Sequence, residues 1–205
     1  MILEDHGRFK CCLCNSIMLS GLRDCNIFEG KRFYLKKNYI WFSDNGIITW
    51  TISNFREKIQ NAKLKNENAI ISDTFYNTRP GYNLSLKIFP NGDGPTKDKF
   101  ISIYIVINKG DYDDEVSWPF KCKIRLVLLS NINAASNITN SMMPDYNTAC
   151  YGRPGNNPNR AAGQDRFLPI SDILNKDTYL HGNSLKIRLT LIRNHDDPLL
   201  TKLST

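Results

Sequence analysis

The stretch that decides the fold reads YNLSLKIFPNGDG at residues 82–94, followed by FISIYIVI at residues 100–107. Both apolar runs carry β-branched and aromatic side chains at near period-two spacing, which is typical of strands that bury one face. Between them, residues 91–94 (NGDG) tolerate a positive φ, so the chain can reverse there without steric cost. The pattern predicts a long β-hairpin with a loose loop at residues 91–99.

Other segments show the same alternation. Residues 48–52 (ITWTI) predict a strand, and residues 121–129 and 185–192 predict two more, each with one wetter face. Short strands separated by Asn-, Gly- and Pro-rich turns, with almost no helix, are typical of an antiparallel β-sandwich. The side chains predicted to point inward are Ile48, Trp50, Ile52, Ile124, Leu126, Leu128, Leu185, Ile187, Leu189 and Leu191.

Little helix is predicted. Residues 55–65 form a short amphipathic pattern, and Ser53 or Asn54 before it is a suitable N-cap. Residues 171–174 predict a single helical turn capped by Ser171. The fold class is therefore all-β with one short helix.

The chain has 205 residues, of which 41% are hydrophobic and 23% charged, as in ordinary globular proteins. We expect a poorly specified N-terminal extension without a clear fold at residues 1–43, one β-sandwich domain at 44–195 and a C-terminal tail at 196–205. No apolar run approaches the length of a membrane span, and the first residues lack the apolar core of a secretion signal. The sequence therefore predicts a cytoplasmic protein without membrane insertion.

The net charge is +7 at pH 7, and the excess of Lys and Arg is spread along the chain. Nucleic-acid binding usually needs clustered Lys and Arg with aromatic side chains between them. We therefore expect a solvated basic surface and no nucleic-acid partner.

Six cysteines raise the question of a metal site. Cys11, Cys12, Cys14 and Cys25, with His6 nearby, invite a zinc interpretation. Their spacing lacks a second Cys-x-x-Cys or a following His pair, and zinc sites need such spacing. The favoured interpretation is unligated thiols, and no cofactor is expected.

Catalytic motifs are not found either. None of the three histidines sits in a recognisable catalytic context. The acidic run at residues 111–115 lacks the EF-hand pattern and is interpreted as a solvated, flexible loop. Residues 92–97 contain Gly and Lys but lack the P-loop spacing. The sequence therefore does not predict an enzyme.

Five motifs occur in fixed order and carry a family resemblance. They are GIITWTISNF at residues 46–55, FYNTRPGY at 75–82, NGDG at 91–94, WPF at 118–120 and Arg153-Pro154. Together they resemble the C-terminal TRAF (MATH) domain of the TNF-receptor-associated factors, over residues 44 to 193. The resemblance implies an antiparallel β-sandwich of about eight strands in two sheets.

The resemblance also implies a function. Domains of this family belong to non-catalytic signalling adaptors, and they bind short acidic or Gln-containing segments of receptor cytoplasmic tails, or other adaptors, in TNF-receptor-type signalling. Family members form homotrimers through a preceding coiled coil, but no heptad is sustained here. The chain is then a fragment or a divergent member, or its oligomeric state depends on something else. The alternative is a substrate-recruiting MATH module of a ubiquitin ligase complex, although the chain shows no RING zinc pattern.

The family's peptide groove can be carried over by position. Lys87 and Phe89 fall where an Arg and a Tyr usually meet the acidic residue of the peptide, and Tyr104 falls on an aromatic position of the hydrophobic wall. Thr148, Ala149 and Cys150 fall on three serines that bind the peptide's Gln. The remaining positions are the unchanged Asp93, Gly94, Pro144 and Gly163, with Met142 replacing an aromatic residue and Ala162 replacing a Ser.

These departures weaken the family's usual specificity. Lys lacks the planar fork of Arg, and Phe89 lacks a phenolic donor. The hypothesis is a groove that persists but prefers a more apolar or otherwise altered peptide. The alternative is that Phe89, Tyr104 and Met142 only pack the sheet.

Overall fold

The computed structural model describes residues 2–4, 8–10, 17–19, 41–42, 46–64 and 69–192. The strands are β1 (Ile2–Glu4), β2 (Arg8–Lys10), β3 (Ile17–Leu19), β4 (Trp41–Phe42), β5 (Ile47–Ile52), β6 (Ile70–Ile71), β7 (Phe75–Tyr76), β8 (Asn83–Phe89), β9 (Phe100–Asn108), β10 (Lys123–Leu128), β11 (Ile138–Met142), β12 (Ala162–Pro169), β13 (Leu180–His181) and β14 (Ser184–Ile192). The helices are α1 (Phe55–Leu64) and α2 (Ile170–Leu174).

The chain divides into two compact units. In Met1–Gly30, the strands β1, β2 and β3 form a small antiparallel sheet. Lys31–Thr205 contains the other strands and both helices.

Two sheets make up the second unit. One has six strands in the order β12-β9-β8-β7-β4, with β6 also paired to β8, and the other has five in the order β11-β10-β14-β13, with β5 paired to β14. All pairs are antiparallel except β4 with β7. The predicted all-β antiparallel sandwich is confirmed. The resemblance implied about eight strands, and four of the eleven strands described in this unit are only two residues long.

The core lies between the two sheets. Leu84, Leu86 and Ile88 of β8 and the alternate isoleucines of β9 are at most 1% exposed. They join one cluster with the inward residues of β10 and β14. Burying each such side chain stabilises the fold by about 1.5–3 kcal/mol before entropy is counted. The predicted inward residues are confirmed, with Ile48 and Trp50 half-buried against the core.

The hairpin loop between β8 and β9 is more ordered than predicted. Thr96 is buried in a 3-10 turn at Gly94–Thr96, where its hydroxyl donates to the Asp93 carbonyl at 2.8 Å and accepts from the Asp93 amide at 3.0 Å. Asn91 Nδ2 donates to Asp98 at 2.8 Å. The prediction of a loose loop is wrong, because polar side chains within the loop satisfy its backbone.

The helix caps also differ from the prediction. The first amides of α1 donate to Asn183 in the turn before β14, Phe55 N to its carbonyl at 2.9 Å and Arg56 N to its side-chain oxygen at 3.2 Å. Asn183 thus supplies acceptors that we expected from Ser53 or Asn54. Ser171 is the second residue of α2 and is not its cap.

The acidic connection after β9 is partly structural. Asp113 is 6% exposed and accepts from the Gly110 amide at 3.0 Å, and its carbonyl accepts from the Trp118 indole at 2.8 Å. Asp114 forms an ion pair with Arg153. The interpretation of this segment as solvated and flexible is wrong for Asp113. In the part of the chain that the structure describes, no helix is long and apolar enough to cross a membrane.

Candidate functional site

The outer face of the six-stranded sheet carries a compact group of side chains. Lys87 of β8 and Tyr104 of β9 are direct cross-strand partners, and their neighbours along each strand point into the core. Phe89 lies beside them and is 8% exposed, with the Tyr104 ring edge-on at 5.6 Å and Lys87 Nζ 4.9 Å from its ring centre. Phe89 is therefore covered by its neighbours on the outer face. Cation–π and edge-to-face contacts of this kind are each worth about 0.5–1.5 kcal/mol.

Asp93 adds a carboxylate to this group. Partial burial raises the pKa of Tyr104, and the nearby charge of Asp93 and a hydrogen bond to its carboxylate raise the pKa further. The Tyr104 phenol therefore remains a neutral donor at physiological pH. We call Lys87, Phe89, Asp93 and Tyr104 the outer-face cluster.

Ser102 holds the loop of Asp93 against the sheet. Its hydroxyl donates to the Asp165 carbonyl of β12 at 2.6 Å and accepts from the Asp93 amide at 3.2 Å. The side chain is fully buried and also contacts Thr96 Oγ1 at 3.1 Å. Sequence reasoning missed Ser102, although a hydroxyl within the isoleucine-rich run of β9 was the available signal.

β12 forms one edge of this sheet. Gly163 pairs with Tyr104, and a Cβ added at Gly163 would lie 2.2 Å from the Ile103 carbonyl oxygen and 2.5 Å from the Tyr104 Cα. Only glycine allows so close an approach of the two backbones. Ala162 pairs with Ile105 and packs against the core. Within the described ranges no strand pairs with the other side of β12.

Two of the predicted Gln-binding positions, Ala149 and Cys150, lie on a 3-10 turn at Ala149–Tyr151 next to β9, and the third, Thr148, immediately precedes it. Thr148 and Ala149 are exposed and Cys150 is partly buried. Burial raises the pKa of the Cys150 thiol. The Thr148 hydroxyl donates to Asp145 at 2.8 Å, which lowers the pKa of that carboxyl. This hydroxyl is therefore already engaged.

Asn159, which sequence reasoning also missed, ties this turn to the sheet. Its side chain donates to the carbonyl of Cys150 at 3.1 Å and of Gly152 at 2.7 Å. Its amide donates to the Ile107 carbonyl at the end of β9, at 2.9 Å. Asparagine is common in loops, so nothing in its local sequence marks this role.

Two predicted positions lie elsewhere. Met142 ends β11 in the five-stranded sheet, where it pairs with Ile124 and packs against the core. Pro144 follows that strand and is buried. The structure therefore brings together Lys87, Phe89, Asp93, Tyr104 and Gly163, with Gly94 and Ala162 adjacent to them in the chain.

No metal site is found among the residues described, where no three His, Cys, Asp or Glu side chains are grouped so as to hold an ion. Cys150 is a free thiol that is partly buried, and Cys122 is buried. Cys11, Cys12, Cys14 and Cys25, for which a zinc interpretation was considered, lie outside the described residues.

Comparison with known proteins gives the family. The model of the MATH domain family matches residues 47–191, from β5 to β14. The chain belongs to the MATH domain family. The outer-face cluster and β12 lie within the matched part of this MATH domain.

Individual relatives agree with this assignment. The chain is 34% identical over 144 residues to TNF receptor-associated factor 2 of Homo sapiens. The matched segment covers 70% of this chain and 28% of that protein. It is 30% identical over 148 residues to TNF receptor-associated factor 5 of Mus musculus, covering 72% and 26%. The solved structure of Notothenia coriiceps TRAF5 superposes with a TM-score of 0.71 at 26% identity, covering 78% of this chain and 79% of that one.

The predicted resemblance to the C-terminal MATH domain of the TNF receptor-associated factors is thus confirmed. The chain spans little more than a quarter of the length of the two curated relatives.

Proposed function

We propose that this MATH domain is the peptide-binding part of a non-catalytic signalling adaptor, and that it takes a short extended peptide across the outer-face cluster beside β12. The observation that carries the proposal is the contiguous outer-face cluster next to β12, a sheet edge with which no further described strand pairs. The relatives are named for association with TNF receptors. The proposed partners are therefore cytoplasmic tails of receptors of this type, or adaptor proteins with similar segments.

Each part of the proposed peptide site has a role that follows from its chemistry. The backbone N–H and C=O groups on the outer side of β12 can pair with an added strand and supply affinity, while side-chain pockets supply specificity. Lys87 offers a positive charge to an acidic peptide residue, and the partly exposed Tyr104 ring, packed edge-on against the covered Phe89 ring, offers an apolar surface beside it. Gly163 keeps β12 close to β9, so the edge lies near the cluster.

The peptide preference should differ from that of the family. Lys87 presents a single point charge, and Ala149 and Cys150 offer no strong donor for a Gln side chain. The Thr148 hydroxyl is engaged by Asp145. Each missing hydrogen bond is worth about 0.5–1.5 kcal/mol, so losing three costs on the order of tens-fold or more in affinity.

Fluorescence polarisation with two labelled peptides of equal length tests this proposal. One peptide has the acidic, Gln-containing pattern, and in the other the Gln is replaced by Leu. We expect tighter binding of the Leu peptide, and we expect Lys87→Glu to weaken binding of both if they retain the acidic residue. The matched control is Lys63→Glu, on an exposed position of α1. Tight binding of the Gln peptide by the unmodified chain would contradict the altered peptide preference. Peptide binding that Lys87→Glu leaves unchanged would contradict the outer-face cluster as the binding site.

The non-catalytic assignment has one further support. His181 is the last residue of β13, and its Nε2 lies 3.1 Å from the Leu129 carbonyl oxygen. This contact joins β13 to the residue that follows β10, which is a structural role.

We also propose that the adaptor acts as a homotrimer, because several weak peptide sites joined together gain avidity. Light scattering during size-exclusion chromatography should then give three times the chain mass of 23.5 kDa. A mass of one chain would contradict the trimer and leave the peptide site unaffected.

A further inference from the structure

In its described strands, the outer face of the five-stranded sheet carries four cations and no acidic side chain. Lys123 and Arg125 of β10, and Lys186 and Arg188 of β14, alternate with buried core residues and so share this face. None of the five strands contains Asp or Glu. We call these four side chains the basic face.

Strand register places the four cations in one stripe. Arg188 pairs with Val127 and Thr190 pairs with Arg125, so the two arginines are diagonal neighbours at roughly 7–8 Å. Lys186 and Lys123 extend the stripe at either end. The residues opposite the four cations are small or aliphatic: Thr49, Thr51, Val127, Ser141, Thr190 and Ile192.

The four cations of the basic face form none of the ion pairs found in the described part of the chain. Those ion pairs join Arg56 to Asp177, Arg153 to Asp114 and Lys176 to Asp172. Two acids that are near these strands in sequence are already engaged, Glu57 by Asn183 and Asp145 by Thr148. Like charges on neighbouring strands repel one another. An external polyanion would relieve that repulsion.

The chemistry of this face distinguishes between polyanions. Single-stranded nucleic acid is usually held by aromatic side chains on which bases stack, and in the described strands this face has Thr, Ser, Val and Ile but no aromatic residue. Lipid headgroups need only a set of cations that point in one direction, which one face of a sheet provides. We propose that the basic face docks the chain on a bilayer rich in anionic phospholipid.

Docking there leaves the outer-face cluster free. The two sheets bury their inner faces in one core, so their outer faces point in opposite directions. The proposal is independent of the peptide site, since lipid binding can be measured with no peptide present.

Vesicle flotation of the full chain tests the proposal. We expect binding to vesicles of phosphatidylcholine with phosphatidylserine, loss of binding at high salt, and none to phosphatidylcholine alone. Each basic side chain near such a surface strengthens binding about fivefold, so Arg125→Gln with Arg188→Gln should weaken it about thirtyfold. The matched control is Lys63→Gln with Arg166→Gln, which removes the same charge at two exposed positions outside this face. Equal weakening of vesicle binding by the two pairs of substitutions would overturn the proposal, and so would the absence of binding to anionic vesicles. Tighter binding of the unmodified chain to a single-stranded oligonucleotide than to these vesicles would overturn it as well.

Lysine acetylation of the unmodified chain gives a second test that does not depend on folding of the variants. Anionic vesicles should protect Lys123 and Lys186 from acetylation and leave Lys63 of α1 reactive. Equal reactivity of Lys123 and Lys186 with and without vesicles would overturn the proposal.

Discussion

Gly163→Ala is the substitution that tests the geometry of the sheet edge most sharply. The new Cβ would lie 2.2 Å from the Ile103 carbonyl oxygen and 2.5 Å from the Tyr104 Cα. Both are backbone atoms, so no side chain can turn away, and β12 must move from β9 by on the order of 1 Å to restore ordinary contact. Overpacking of this kind costs about 1–3 kcal/mol, and each cross-strand hydrogen bond that lengthens costs about 1 kcal/mol more. We expect a total loss of about 2–4 kcal/mol.

Thermal unfolding with a matched variant measures this loss. In a chain of this size, each kcal/mol lowers the midpoint by about 2–4 °C, so Gly163→Ala should unfold roughly 5–15 °C lower. The control is Gly155→Ala, where a Cβ meets no atom within 4 Å. That change should be neutral or slightly stabilising. Because β12 also carries the proposed peptide edge, Gly163→Ala should weaken peptide binding as well. Equal midpoints for the two variants would refute the close approach of β12 to β9.

Three further predictions concern the polar contacts. Asn183→Ala removes the side-chain oxygen that accepts from the Arg56 amide and places Ala at a φ of 64°, while the backbone carbonyl that accepts from Phe55 remains. It should destabilise the fold by about 1–3 kcal/mol in denaturant unfolding, more than Asn183→Gly, which accepts that φ. Ser102→Ala leaves the Asp93 amide and the Asp165 carbonyl without the hydroxyl that they share, and should lower the free energy of unfolding by about 1–3 kcal/mol. Ser141→Ala, on an exposed position of β11, should change this free energy little. Equal unfolding midpoints for the two variants would contradict the role of Ser102. Asp93→Asn should lower the pKa of Tyr104, but only part of the way to its ordinary value, because burial is the larger cause of the raised pKa. Carbon NMR of the tyrosine rings, with the Tyr104 signal assigned by Tyr104→Phe, measures this change in pKa. An unchanged pKa would contradict the contact between Asp93 and Tyr104.

The raised pKa of Tyr104, caused first by its burial and then by Asp93, makes stability depend on pH. The folded state holds the Tyr104 proton more tightly than the unfolded chain does. The stabilisation is therefore fully present below the ordinary tyrosine pKa of about 10 and is lost as pH rises through the higher folded value.

The sandwich could be predicted because alternation is strong where one face is buried. The isoleucines at 101, 103, 105 and 107 interleave with Ser102 and Tyr104, and this period fixes which side chains face the core. A strand of two residues, such as β7, spans a single period, so alternation cannot repeat within it. Its existence depends on pairing with β8, which no local pattern encodes.

Long-range polar contacts and surface clusters were harder to predict for the same reason. Asn183 meets Arg56 across 127 positions of sequence, and only the fold brings the two together. The basic face is built from two pairs of cations about 60 residues apart in the chain, so the charge looks spread out in sequence. The outer-face cluster was predictable only through the family motifs, since period-two spacing does not distinguish a binding face from a solvated one.

The central claim is that the outer-face cluster and β12 receive an extended peptide. Amide chemical-shift mapping tests it most directly, with a peptide selected from a random library on the full chain. The account predicts that the largest changes cluster at Lys87, Phe89, Tyr104, Ala162 and Gly163, with new protection of β12 amides from hydrogen exchange. Changes confined to another surface, with these amides unaffected, would contradict it.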